Sequence, residues 1–262
     1  RRLDPADHGA LGFTMADNAD AETLARLLRT RRSVRDFTDR DVPAELIAAI
    51  LDDARWAPSW SNTQPYRIAV AGGALKDQIK EQLLARFDTA TKLQAGGMLG
   101  RIAAFLTRSK ALPDGDFDTR FEYPEELVPR RRATGFGLYA TLGIGRGDNA
   151  ARNRQMRRNW EFFGAPVVLF VFVRQELGVY SVLDAGIFLQ SLMLSAKARG
   201  LGTCAEGALG TWAGPVREAF EVPPAYKLLC GLALGWPSDH VVNAYNPGRA
   251  DVAEMLIPEK RS

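Results

Sequence analysis

Three guanidiniums and a hydroxyl fall within five residues, Arg31-Arg32-Ser33-Val34-Arg35. Arginine presents a planar fork of donors that matches phosphate oxygens two at a time. About one helix later comes Ala57-Pro58-Ser59-Trp60-Ser61-Asn62-Thr63-Gln64-Pro65-Tyr66. That run is polar, aromatic and bounded by prolines, which neither a buried strand nor a buried helix tolerates. The two segments together predict a phosphate-bearing ring cofactor held at a site built from loops. A solvated helix end is the plain alternative for the arginines, because cations are favoured at a helix C-terminus. Arg249, in the turn Asn246-Pro247-Gly248-Arg249, reads on its own as a surface residue.

Other chemistries are poorly supplied. Cys204 and Cys230 lie far apart with no C-x-x-C, so no structural disulfide or zinc site is expected. They read as small hydrophobes in a reducing compartment, which predicts a cytoplasmic protein. Only His8 and His240 are present, too few for a Ser-His-Asp triad or a histidine-rich metal centre. No metal ligand set is expected. The 262 residues carry a net charge of +3 and are 46% hydrophobic, ordinary for a globular chain with a large core. No run of about 18 apolar residues predicts a membrane span, and the first 30 residues lack the apolar stretch of a secretory signal.

Several elements must position the two segments. Asp20 is expected to cap a helix to about Thr30, with Leu24, Leu27 and Leu28 on one face. Arg35 to Phe37 reads as extended. Pro43 opens a second helix through Leu46, Ile47, Ile50, Leu51 and Ala54, and Pro58 stops it. A strand over Arg67–Ala71 turns at Gly72-Gly73 into a third helix carrying Leu75, Ile79 and Leu83. Residues 88 to about 160 read as the least regular stretch, an insertion with some helix. Pro166 to Val173 is an unbroken β-branched and aromatic run, hence a central buried strand. Ser181 with Asp184 predicts a helix-start box. The helix that follows is apolar nearly all round and ends at Gly200 in a left-handed cap. A short helix over Pro215–Phe220 and a strand over Lys227–Gly235 complete the chain. Residues 1–18 are expected to be a flexible leader or an appended remnant, with 1–14 outside the native fold, and 19–262 a single domain.

Two motifs mislead. Gly200-Leu201-Gly202-Thr203-Cys204-Ala205 fits G-x-G-x-x-A, but a helix precedes it where a dinucleotide fingerprint needs a strand. The stretch 130–158 holds eight arginines and one acid, Asp148. It lacks the interleaved aromatics of a base-stacking platform apart from Phe136 and Tyr139, so it reads as a solvated face and no nucleic-acid partner is expected. Attraction of an anionic substrate such as a nicotinamide dinucleotide is a third reading.

In order, RRSVRDF, ARWAPSWSNTQPYRIAV, the long apolar helix, GLGTCAEGAL, LLCGLALGWP and Arg249 resemble the FMN-dependent nitroreductase family from about residue 24 to 255. The resemblance implies an α+β fold: a mixed, largely antiparallel sheet flanked by helices, in an intertwined homodimer with two FMN sites at the subunit interface. It implies that Arg31 and Ser33 hold the FMN phosphate with Arg249, and that Arg32 contributes through its backbone. Arg35 would face the flavin N1/O2 edge, and Glu206 and Gly207 would lie beside N5. Pro58, Ser59, Trp60, Asn62 and Gln64 would come from the other subunit. Many relatives carry Trp where this chain has Tyr66, and a smaller or polar residue where it has Trp60.

The implied activity is hydride transfer from NADPH or NADH to FMN, then two-electron reduction of a nitroaromatic or quinone by a ping-pong route. The cofactor carries the chemistry and no catalytic side chain is required. Enone or flavin reduction on the same scaffold, or flavin binding without turnover, are the alternatives. A small aromatic acceptor and a second copy of the chain are the expected partners, with neither nucleic acid nor membrane among them.

Overall fold

The computed structural model describes residues 19–106, 109–118 and 122–260. The leader expected at 1–18 lies outside the described residues. In chain order the elements are α1 (Ala19–Thr30), α2 (Ala44–Ala54), β1 (Tyr66–Gly72), α3 (Gly73–Ala95), α4 (Gly97–Leu106), α5 (Val128–Thr141), α6 (Asn149–Arg157), β2 (Val167–Arg174), α7 (Val179–Ala198), β3 (Gly202–Glu206), α8 (Gly214–Ala219), β4 (Tyr226–Gly235) and α9 (Val252–Met255).

The four strands form one sheet in the order β1-β2-β4-β3, and all three ladders are antiparallel. A parallel contribution comes from the single bridge Ser33–Thr203, which lays the extended arginine segment along the β3 edge. β2 sits between two neighbours and is covered on both faces, which is why its sequence reads apolar without alternation. Val168, Phe170 and Phe172 face a core with Ile79, Leu83, Phe162, Leu209 and Trp212. Val167, Leu169, Val171 and Val173 face a second core with Ile50 of α2 and Ala185, Phe188 and Leu192 of α7. The fold is thus α+β, a sheet packed by helices on both sides.

Three local expectations need correction. Asp20 lies within the first turn of α1, not before it. Ser181 and Asp184 do not form a helix-start box, because α7 already begins at Val179 after Gly178. The Ser181 hydroxyl instead donates to the Arg174 carbonyl, and the Asp184 carboxylate accepts from a distant loop. The stretch 88–160 is largely helical: it holds the end of α3, then α4, α5 and α6. Pro129 in the first turn of α5 and Asp148, whose side chain accepts from the Ala151 N–H at 2.8 Å to cap α6, are ordinary start signals. The abundant glycines and arginines hid them, although arginine is a good helix former.

By length and composition alone α7 could also cross a bilayer, although Ser181, Asp184, Gln190, Ser191 and Ser195 interrupt its apolar run. One face of it packs on the sheet through Ala185, Phe188, Leu192 and Ala196. Its first turns, by contrast, leave Val179, Tyr180 and Leu183 exposed.

Candidate functional site

The arginine segment is extended, so alternate residues share a side. The Val34 N–H donates to the Thr203 carbonyl at 2.9 Å, which pins the segment to β3. Gly202 permits this approach: a Cβ there would come 2.5 Å from Cγ2 of Val34. Beyond it, Asn243 acts as a clamp. Its carboxamide oxygen accepts from the Arg35 N–H at 2.8 Å, and its amide nitrogen donates to the Asp36 and Ser238 carbonyls. The Asn243 carbonyl also accepts from the Arg32 side chain at 3.1 Å. Arg32 is therefore occupied, while Arg31 is not.

Arg31 is the centre of the charged end of the site. Its Nε is buried without a partner. Burial, and then the nearby Arg249 guanidinium, hold its pKa below the usual arginine value. Arg249 donates to the Pro247 and Gly248 carbonyls of its own turn at 2.9 and 3.0 Å. Two guanidiniums from opposite ends of the chain thus converge, and among the described residues neither has a carboxylate partner. Like charges brought together in this way leave a position suited to a phosphate. A cleft of about 380 Å³ beside it is lined by Arg31, Arg32, Lys197, Thr203 and Asn243.

Further along β3, Ser33 hydrogen-bonds Cys204, whose thiol burial pushes up to about 12. Next comes Glu206, buried, with both carboxyl oxygens lacking a partner. Desolvation raises its pKa well above the usual carboxylate value, outweighing the opposing pull of Arg35. A buried carboxyl left this way is neutral and able to donate a hydrogen bond. In front of Gly207 the space is open, with nothing within 4 Å of where a Cβ would sit. Arg31, Ser33, Arg35, Cys204 and Glu206 therefore form one continuous face, cationic at one end and holding an orphaned acid at the other.

The loop after α2 is a separate piece. Ser61, Asn62 and Gln64 hold φ values of 47°, 56° and 41°, left-handed for non-glycine residues. Such strain persists where surrounding contacts over-determine it, and it clusters at functional sites. Both Asp184 oxygens accept from the Trp60 N–H at 3.1 Å, and the Ser59 hydroxyl accepts from the Gln64 N–H at 3.0 Å. The Gln64 amide reaches back to Asn62. Pro58 is exposed, and Trp60 stacks on Tyr180 at 4.3 Å between ring centroids. The loop is anchored at Asp184, whereas the Arg31 cleft meets α7 at Lys197. Lys197 lies thirteen helical positions after Asp184, about 20 Å at 1.5 Å per residue. Within one chain the structure brings Arg31, Arg35, Glu206, Gly207 and Arg249 to one region and leaves Pro58–Gln64 at the other end of α7.

The clamp roles of Asp184 and Asn243 escaped the sequence reading because their partners lie 124 and 208 positions away. Arg158 escaped it as well. It donates to Asp36 at 2.7 Å and to the Phe163 carbonyl at 2.9 Å, fixing the residue beside Arg35. His240 is a turn residue, its Nδ1 accepting from the Val242 N–H.

The nitroreductase family pattern matches residues 28–236. A 4-nitrobenzoate reductase of Nocardioides sp. (strain LMS-CY) is 34% identical over 216 residues, covering 82% of this chain and 81% of its own. A nitrobenzene nitroreductase of Ectopseudomonas oleovorans is 33% identical, covering 89% and 93%. Among solved structures, the FMN-dependent nitroreductase NfnB from Mycobacterium smegmatis in complex with NADPH superposes with a TM-score of 0.77 at 30% identity, covering 92% of this chain and 99% of that one. On this match of sequence and fold, the chain belongs to the nitroreductase family.

Proposed function

We propose that this chain is an FMN-dependent NAD(P)H oxidoreductase that reduces nitroaromatic or quinone acceptors by a ping-pong route. The observation that carries the reading is Arg31, whose Nε is buried without a partner and whose guanidinium is near enough to that of Arg249 for the two to repel. The orphaned oxygens of Glu206 and the open space before Gly207 fit the other end of the same molecule. Nitrobenzoate and nitrobenzene reductases among the relatives support the acceptor class.

Arg31, Ser33 and Arg249 would hold the FMN phosphate. Arg32 would serve through its backbone, its side chain being engaged by Asn243. FMN, when bound, would take a hydride from NADPH or NADH and return two electrons to the acceptor. Arg35 would offset negative charge at the pyrimidine edge of the ring. Glu206 holds a proton on its buried carboxyl in the same region, and Gly207 leaves room for the ring to approach the backbone. No histidine is needed.

Pro58, Ser59, Trp60, Asn62 and Gln64 would complete the site of a second copy, since their own chain holds them about 20 Å along α7 from Arg31. The exposed Trp60, Val179, Tyr180 and Leu183 supply an apolar surface for such a homodimer. A cytoplasmic location suits its two free thiols.

The test is anaerobic. Purified protein should be yellow, lose its flavin absorbance when mixed with NADPH or NADH, and regain it on addition of 4-nitrobenzoate. A colourless protein that takes up no FMN, or a bound flavin inert to both nicotinamides, would overturn the reading.

A further inference from the structure

A second cleft, of about 540 Å³, opens on the far side of Arg35. The arginine segment, the C-terminal end of α5, α6 and the His240 turn enclose it. That volume suits a nucleotide better than a single small ring. Its lining carries Arg35, Arg154 and Arg158 against Asp36 and Asp148. Both carboxylates are already engaged. Asp36 accepts from Arg158 through one oxygen and from the Ser238 hydroxyl through the other, at 2.7 and 2.6 Å. Asp148 caps α6.

Arg154, exposed on the cleft side of α6, has no carboxylate partner among the described residues. Two other guanidiniums of this region lie over aromatic rings: Arg152 is 5.4 Å from the Tyr139 ring centre, and Arg146 5.2 Å from that of Phe136. The Arg152 Nε is buried with no partner.

In Rossmann folds a carboxylate accepts from the adenosine ribose 2′-hydroxyl or an arginine accommodates the 2′-phosphate; the same charge logic holds for any pocket that takes this ribose. Here Asp36 is engaged through both oxygens, Asp148 spends one oxygen on its helix cap, and Arg154 is without a carboxylate partner among the described residues. We infer that this cleft receives the adenosine 2′-phosphate of NADPH, with Arg154 as the specificity residue. The inference rests on the flavoenzyme reading, in which Arg35 borders both the ring and this cleft. A donor stacked on the ring would then extend its phosphates toward α6.

The experiment measures equilibrium binding of adenosine 2′,5′-bisphosphate and of 5′-AMP to the oxidised, FMN-loaded protein by calorimetry. Wild type should bind the bisphosphate about ten- to a hundredfold more tightly, the worth of a charge-assisted contact. The margin should shrink with added salt. In Arg154→Ala it should collapse, and in Arg154→Glu it should reverse. Equal affinity of the two nucleotides in wild type, or an unchanged ratio in both variants, would overturn the inference. A yellow protein bleached equally well by NADH and NADPH defeats this inference alone. Failure to take up FMN defeats the reading beneath it.

Discussion

Replacing Glu206 by Gln isolates a single proton. The carboxyl is 3% exposed, at the end of β3, with neither oxygen hydrogen-bonded. Desolvation raises its pKa well above the ordinary value and outweighs the opposing charge of Arg35. In the unfolded chain the same group ionises near 4.3. Above that pH the folded state therefore binds one more proton than the unfolded state. Stability is fully present below the unfolded value and falls as pH rises toward the folded one. The slope is up to about 1.4 kcal/mol per pH unit for one proton.

Neither the thiols beside it nor the shifted carboxylates elsewhere in the fold confuse the window. The Cys204 and Cys230 thiols are pushed up to about 12 and stay neutral throughout. Hydrogen bonding lowers Asp53 through Ser195, Asp77 through Lys80 and Asp88 through Arg157, so these groups contribute their pH dependence in more acidic solution, equally in both proteins. Urea denaturation of flavin-free wild type and Glu206→Gln at pH 5, 6 and 7 should give diverging stabilities, the variant gaining on wild type at each step. Parallel pH curves would refute the claim that Glu206 is a neutral acid in the folded protein.

Other perturbations test the supports of the site. Asn243→Ala removes three side-chain hydrogen bonds around Arg35 and Asp36, and should cost about 2–4 kcal/mol in denaturant melts at roughly 1 kcal/mol each. Asp184→Ala strips the acceptor from the Trp60 N–H and should release the strained 61–64 turn, seen as faster amide exchange across that loop and a loss of about 1–3 kcal/mol. Gly202→Ala places a methyl against Val34 and should destabilise by about 1–3 kcal/mol while weakening FMN uptake; unchanged values for both would show that the arginine segment need not lie flush on β3.

The sequence exposed those parts of the fold whose signals are local. β2 was legible because seven of its eight residues are buried and their types show it. Gly200 was legible because its φ of 80° requires a residue like glycine. Arg31 and Arg249 suggest a phosphate site only in combination, and Arg35 a ring edge only through the family resemblance, since each alone suits a solvated surface. Asp184 misled because Ser181-x-x-Asp184 mimics a helix start, while its actual partner lies in a loop with no local trace. Asn243 carried no signal at all: it sits in a plain turn and acts on backbone groups of the arginine segment. α5 and α6 were hidden by glycines that the helices tolerate and by arginines that look like disorder when counted but like helix when paired, as Arg157 is with Asp88 and Glu161.

The central claim is that Arg31 and Arg249 meet on one phosphate group, and riboflavin, which lacks it, tests this most directly. Fluorescence titration of the flavin-free protein should show FMN binding about ten- to a hundredfold or more above riboflavin. Arg31→Ala should erase most of that difference while leaving riboflavin affinity unchanged. If wild type holds riboflavin as tightly as FMN, or the Arg31 variant keeps the full preference, the two guanidiniums do not form the phosphate site.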